Sequence, residues 1–285
     1  YNRGRISTES LRASDDLIFL SVHPNKDGSL LFENPRAFQG KGETTWEGLI
    51  KSVRGKVKGT KAKIRLGASS GEWKAMVADE AARTTFAKNI KKVLEKNNLD
   101  GIDLDFEWAE NEKEYEDYSL AILKMREVLG DKYLFSVSLH PVCYKISKKA
   151  IEAVDFISLQ CYGPSPVRFP IEKYCSDIQM VLEYGIPKEK LVAGVPFYGV
   201  TKDNSKKTEA YFNFVQDGLI TSPSQNEVIY QGDTYVFDGQ DNIRIKTRYA
   251  KEQKLKGMMS WDLATDLPLN DSKSLLKTMT EELRK

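Results

Sequence analysis

The run Asp100-Gly101-Ile102-Asp103-Leu104-Asp105-Phe106-Glu107 sets three acids at alternate positions. Side chains of a β-strand alternate between faces, so Gly101, Asp103, Asp105 and Glu107 share one side and Ile102, Leu104 and Phe106 the other. Carboxylates stacked about 7 Å apart beside a buried apolar face resist ionising together. Such a column suits proton transfer or cation binding. Two plainer readings compete: a polar face turned to solvent, and an oxygen-ligand site for a cation of the Mg or Ca type. The run sits between two helical patterns, which in an alternating chain puts the strand inside a parallel sheet and its acids inside a closed interior.

The elements that must position this column follow from periodicity. Short apolar runs predict strands at residues 17–22, 63–68, 101–107, 133–138, 156–161, 191–196 and 257–261. Between them lie helical stripes: Phe86, Ile90, Val93 and Leu94; Tyr115, Tyr118, Ile122, Met125 and Leu129; and Tyr174, Ile178, Val181 and Leu182, the last stopped by Gly185 and Pro187. A final helix from about Ser272 buries Leu275, Leu276 and Met279. Repeated strand–helix units form either a doubly wound sheet or a closed barrel. No glycine-rich dinucleotide loop follows the early strands, which favours an α/β fold of the (β/α)8 TIM-barrel type. A closed barrel needs one strand more, and residues 1–3 are read as the tail of a truncated first strand. The expected organisation is one barrel domain over residues 1–285, with a small rim insertion at about 200–242 between the last two strands. Within it, residues 201–208 read as a loop and 227–230 with 234–237 as a hairpin around Gln231-Gly232-Asp233. A helix at about 243–252 follows.

Composition bounds the function. A chain of 285 residues, 40% hydrophobic and 10% aromatic, can bury a core of barrel size. The 43 Lys and Arg against 41 Asp and Glu leave a net charge of +2, which carries no footprint for nucleic acid or an anionic membrane. No run approaches the roughly 18 apolar residues of a membrane span. Cys143, Cys161 and Cys175 lack metal-ligand spacing, and their odd number argues against a disulfide framework. There is no signal peptide, and the chain opens without Met as a processed or trimmed protein does. The expectation is a monomer, secreted, periplasmic or on the cell surface, with no cofactor and no metal.

Position along the strand assigns chemistry. The C-terminal ends of barrel strands face the active site, making Glu107 the most exposed acid and Asp103 the deepest. Glu107 beside Asp105 is held partly protonated, as a general acid requires. Paired-acid glycosidases place their second acid across the sugar from the first, which neighbours on one strand do not do. The column therefore fits an enzyme whose nucleophile comes from elsewhere, such as a 2-acetamido group of the substrate.

The run from Asp100 to Glu107 resembles, at every specified position, the Asp-Gly-x-Asp-x-Asp-x-Glu signature of glycoside hydrolase family 18, the chitinases and endo-β-N-acetylglucosaminidases. Gly194-Val195-Pro196-Phe197-Tyr198-Gly199 is similar to the family's seventh strand and Gly257-Met258-Met259-Ser260-Trp261 to its eighth. The resemblance covers nearly the whole chain. It implies that Glu107 protonates the glycosidic oxygen and then activates water, that Asp105 orients the acetamido group as it closes to an oxazolinium ion, and that Asp103 holds Asp105 through a shared proton. It further implies that Tyr162 binds the acetamido carbonyl, that Trp261 stacks beneath the sugar, and that Gln160, Tyr198 and Gly163 contribute to the substrate site. Gln160 in place of the commoner Met resembles the plant-type branch. The implied partner is an oligosaccharide or polysaccharide containing N-acetylglucosamine, most simply chitin cut at its β-1,4 bonds with retention. The alternatives are an endo-β-N-acetylglucosaminidase on N-glycans, an enzyme on bacterial wall glycan, or a non-hydrolytic sugar-binding relative.

The chain also departs from the family. Where the family carries Ser-x-Gly-Gly on its third strand, with the Ser bonded to the deep acid, this chain has Arg65-Leu66-Gly67-Ala68. Gly163 stands where many members have Asp or Asn. The short rim insertion implies an open cleft and endo-type cutting. Trp46, Trp73 and Trp108 either extend a sugar groove or pack in the core and rim. His23 and His140 end strands next to prolines and are read as loop anchors.

Overall fold

The computed structural model describes residues 6–32 and 45–285. The chain runs through α1 (Thr8–Arg12), β1 (Asp16–Pro24), β2 (Leu30–Phe32), α2 (Trp46–Lys56), β3 (Lys63–Ser69), α3 (Trp73–Ala78), α4 (Glu80–Asn97) and β4 (Gly101–Asp105). It continues with α5 (Glu112–Leu129), β5 (Leu134–Leu139), α6 (Lys148–Ala153), β6 (Phe156–Leu159), α7 (Ile171–Tyr184) and β7 (Leu191–Pro196). The rim follows as β8 (Tyr198–Thr201), β9 (Thr208–Ala210), α8 (Tyr211–Gln216), β10 (Glu227–Tyr230) and β11 (Asp233–Val236). Then come α9 (Gln240–Glu252), β12 (Gly257–Trp261) and α10 (Leu275–Arg284).

Strands β12, β7, β6, β5, β4, β3 and β1 lie side by side in that order, all parallel, and β2 adds an antiparallel hairpin to the end of β1. Each of the seven predicted strands is present in this curled, TIM-barrel-like sheet. Among the described residues β1 and β12 do not pair with each other. The expected tail of a first strand, residues 1–3, lies outside the described residues.

Local chemistry sets the elements. Asp79 accepts from the Ala82 N–H to cap α4, and Asn98 ends that helix in the left-handed region at φ 49°. Asn111 caps α5 in the same way, and Gly185, at φ 111°, stops α7 where the sequence predicts. Ile102 and Leu104 on the outer face of β4, and Phe106 just beyond its end, are buried, each worth about 1.5–3 kcal/mol against exposure. There Tyr118 of α5 donates to the Leu104 carbonyl oxygen at 3.1 Å. Gly101 admits no side chain: a Cβ would lie 1.9 Å from the Leu134 carbonyl oxygen of β5.

Two sequence expectations shift. The β4 ladder stops at Asp105, so Glu107 stands beyond the strand on the rising chain. The stretch 201–208 is a loop only at its centre, because β8 and β9 pair across it in a four-stranded sheet of order β10-β11-β8-β9. With four residues in β8 and three in the edge strand β9, neither is long enough to leave an alternation to read. The hairpin of β10 and β11 forms as predicted, with Gln231 and Gly232 both at positive φ in its turn.

Candidate active site

The register of the sheet builds the column. Gly67 of β3 is level with Asp103 and Ser69 with Asp105, while Ser136 of β5 flanks Asp103 on the other side. Asp103 is 2% exposed and Asp105 8%, and Glu107 opens onto the rim. Ser136 Oγ donates to Asp103 Oδ1, and Ser138 Oγ to Asp103 Oδ2 at 2.8 Å. The deep acid therefore takes its hydrogen bonds from β5, which answers the missing family Ser on β3. Burial raises the proton affinity of Asp103, opposed by Arg65 and both serines.

Asp105 is pushed well above the ordinary carboxylate range, by burial first and then by the Glu107 and Asp103 charges beside it. Gln160, just past β6, donates from Nε2 to Asp105 Oδ1 at 2.8 Å, and Ser69 also bonds this carboxyl. The rim strips enough water from Glu107 to raise its proton affinity too, and Gln160 opposes that shift. Asp105 and Glu107 resist being charged together, and burial raises the proton affinity of both, which suits a pair that gives up a proton at the mouth of the barrel.

The other predicted residues gather around this point. Tyr162 is buried, with its OH 3.5 Å from Met259 Sδ, a weak acceptor that a better one would displace. Its ring lies against β7 because Gly194 has no side chain: a Cβ there would meet Tyr162 Cε1 at 2.9 Å. Tyr198 stands edge-on to Tyr162, ring centroids 6.3 Å apart. Trp261, at the end of β12, is 41% exposed. Gly163 faces His140, whose Nε2 would be 3.6 Å from an added Cβ. Glu107, Trp108, Tyr162, Tyr198 and Trp261 line one cavity of about 1070 Å³, which runs down the interior past Asp103 and along β1 and β12.

The remaining candidates separate. Trp73 is a core residue, stacked on Phe106 at 5.5 Å, and Trp46 packs edge-on to Phe19 and Phe32. Trp108 lines the cavity with its ring edge-on to His140. His140 anchors a loop: Val142 N–H donates to its Nδ1, so the proton sits on Nε2, which donates to the Tyr162 carbonyl oxygen at 2.9 Å. Burial lowers its pKa to about 4. His23 anchors the end of β1 to the Ser69 carbonyl oxygen. The three cysteines are free, and among the described residues no three His, Cys, Asp or Glu side chains are grouped as metal ligands. Sequence reasoning passed over Ser69, Ser136 and Ser138, and met Arg65 only as a departure from the family's third strand. The pair Ser136-x-Ser138 on a strand next to the acids was the available signal, since both must face the interior beside Asp103.

Comparison with known proteins places this arrangement. A probable chitinase of Drosophila melanogaster is 24% identical over 69% of this chain and 54% of its own length. The chain spans about half the length of the curated relatives it matches. Among solved structures, a family 18 chitinase from the chitin utilization locus of Flavobacterium johnsoniae superposes at TM-score 0.78 with 25% identity, over 96% of this chain and 88% of its own. A chitinase-like agglutinin of Robinia pseudoacacia shares the fold at TM-score 0.77 and 17% identity, over 95% and 94%. The model of glycosyl hydrolases family 18 matches residues 6–266, a span that contains the acid column, both serines of β5 and the strand ending in Trp261, and the chain belongs to that family.

Proposed function

We propose that this chain is a retaining glycoside hydrolase that cleaves β-1,4 bonds of N-acetylglucosamine polymers, chitin and its oligosaccharides, with help from the substrate's own acetamido group. The observation that carries the reading is the acid column: Asp103 buried and serine-bonded, Asp105 buried and bonded by Gln160 with its proton affinity raised, and Glu107 open to a cavity edged by Tyr162 and Trp261.

In this reading a sugar ring lies on Trp261, whose exposed face offers apolar area to the ring carbons. Glu107 gives its proton to the glycosidic oxygen as that bond breaks. The acetamido oxygen bonds to the anomeric carbon from the opposite face, forming the oxazolinium ion, while Asp105 accepts a hydrogen bond from the acetamido N–H and holds the group in place. Tyr162 OH leaves Met259 and donates to the acetamido oxygen. Water then attacks the anomeric carbon, Glu107 takes its proton, and the ring opens to the product with its original configuration.

Among the alternatives, the agglutinin fold neighbour supports a sugar-binding protein without turnover, and the intact Glu107 supports the enzyme. The small rim sheet supports endo-type cutting on an open cleft. The deciding experiment is turnover of a chitotriose conjugate carrying a fluorescent leaving group by the unmodified protein and by Glu107→Gln. The expected loss is about 10²-fold or more. Cleavage of a high-mannose glycoprotein or of peptidoglycan with none of the conjugate moves the substrate to those glycans, and tight binding of chitin oligomers with no turnover of any substrate selects the lectin reading.

A further inference from the structure

Below the column lies a charged group that the reaction above does not use. Arg65 of β3 is fully buried, its charge set inside the barrel where an apolar side chain would be expected. Its fork is spoken for on both sides. Nε donates to both carboxylate oxygens of Asp16 of β1 at 2.9 and 3.0 Å, and Nη2 to Asp16 Oδ2 at 2.6 Å. Nη1 reaches across β4, donating to the Ile102 carbonyl oxygen at 3.0 Å and to Ser136 Oγ of β5 at 2.7 Å. The guanidinium also lies over the Phe156 ring, 4.8 Å from its centre.

Ser136 turns this charge toward the acids. A hydroxyl has one hydrogen, and a guanidinium has no acceptor, so Ser136 must receive from Arg65 and give its own hydrogen to Asp103 Oδ1. Asp103 Oδ1 is therefore an acceptor, and Ser138 Oγ addresses Oδ2. This arrangement favours the carboxylate over the acid.

We propose that Arg65, locked by Asp16 and acting through Ser136, is a positioning residue that keeps Asp103 oriented and charged, so that the proton of the column resides on Asp105 beside Glu107. The inference rests on the glycosidase reading for its kinetic consequence and on geometry alone for the placement of the proton. The charged and titratable groups around Asp103 are Arg65 from β3, Asp16 from β1, Asp105 with Glu107 beyond it on its own chain, and Tyr118 from α5 behind the sheet; Tyr162, past β6, faces Asp105 and Glu107. Arg65 is the cation in this set. Without it, Ser136 is free to turn and accept, Asp103 becomes the better base, and the proton moves down to it. Asp105 is then left charged next to Glu107, which holds its own proton more tightly.

The test compares the unmodified protein with Arg65→Met, Arg65→Lys and Ser136→Ala. Carboxyl ¹³C resonances of Asp103 and Asp105, assigned with the Asp103→Asn and Asp105→Asn variants, are followed against pH. The expected result is that Asp103 titrates at higher pH in Arg65→Met and Ser136→Ala than in the unmodified protein, with Arg65→Lys in between. In parallel the alkaline limb of kcat/KM moves to higher pH and kcat at neutral pH falls by about 10-fold. A purely structural role would lower activity at every pH and leave the limb in place. Unchanged Asp103 titration in Ser136→Ala, which keeps the Arg65–Asp16 pair, overturns the proposal even if Arg65→Met does not fold. Absence of turnover by the unmodified protein would sink the glycosidase reading and leave the resonance titration to judge the placement of the proton.

Discussion

Gln160 reaches from the end of β6, past β5, to give a hydrogen bond to Asp105 at the end of β4, at a donor–acceptor distance of 2.8 Å. The same amide also favours the charged form of Glu107, so one neutral side chain acts on the two upper acids of the column.

Replacing this amide with the family's commoner residue, Gln160→Met, keeps the volume and removes the bond. Both carboxyls lose a donor that favours their charged forms, so both hold their protons more strongly. Glu107 then stays protonated to higher pH. The expected outcome is an alkaline limb of kcat/KM displaced upward, with kcat reduced by less than about 10-fold, measured on a chitotriose conjugate across pH 4 to pH 9. A downward displacement would separate Gln160 from the acids.

Trp261 offers an exposed ring at the end of β12 and little packing. Trp261→Ala should lower kcat/KM by about 10-fold, mostly through KM, corresponding to about 1.4 kcal/mol of lost ring contact. Thermal unfolding should move little, since few core contacts are lost. A large fall in Tm with KM unchanged would make it a structural residue.

Asp105 binds its proton more tightly in the folded chain than in the unfolded one. For an acid shifted this way, the stabilising contribution is greatest below the unfolded pKa and is lost as pH rises through the folded value. Asp105→Asn, neutral at every pH, should therefore unfold at higher temperature than the unmodified protein at pH 7, and the gap should close as pH falls toward 4. Activity should be lost in the same variant. Equal or lower Tm at pH 7 would show that the column stores no such strain.

Lys246 of α9 and Asp238 form an ion pair with both side chains fully buried, and Lys246 also donates to the Phe169 carbonyl oxygen at 2.9 Å. Phe169 in turn packs edge-on to Tyr198, so the pair braces the wall of the site. Lys246→Met leaves the Asp238 charge buried with no cation beside it, held only by the Asn242 amide at 3.2 Å, and should cost about 3–5 kcal/mol in urea unfolding. The double variant with Asp238→Leu should recover much of that loss; no recovery would mean that Phe169 anchoring, and not the orphaned charge, dominates.

The strands and the acid column were legible in the sequence because both depend on short-range order. Alternation within 101–107 puts Asp103, Asp105 and Glu107 on one face whatever surrounds them. The helical stripe of Tyr174, Ile178 and Val181 ended at Gly185 for an equally local reason, the left-handed turn that glycine permits. The rim was harder to read. Strands of three or four residues, such as β9, carry no period.

The identity of the groups that touch the column could not be read in the same way. Arg65, Ser136 and Gln160 lie far apart in sequence, the first two within strands and the third just past one, and nothing local to them says which acid each meets. Which of them meets Asp103 or Asp105 depends on the stagger of β3, β5 and β6 against β4, and a slip of one residue would turn every one of these side chains to the outer face. The sequence by itself determined that three acids share a face at the mouth of a parallel sheet. Only the tertiary structure decided which hydrogen-bond donors surround each acid, and so where the proton sits, because that depends on register across strands that the chain joins only through its helices.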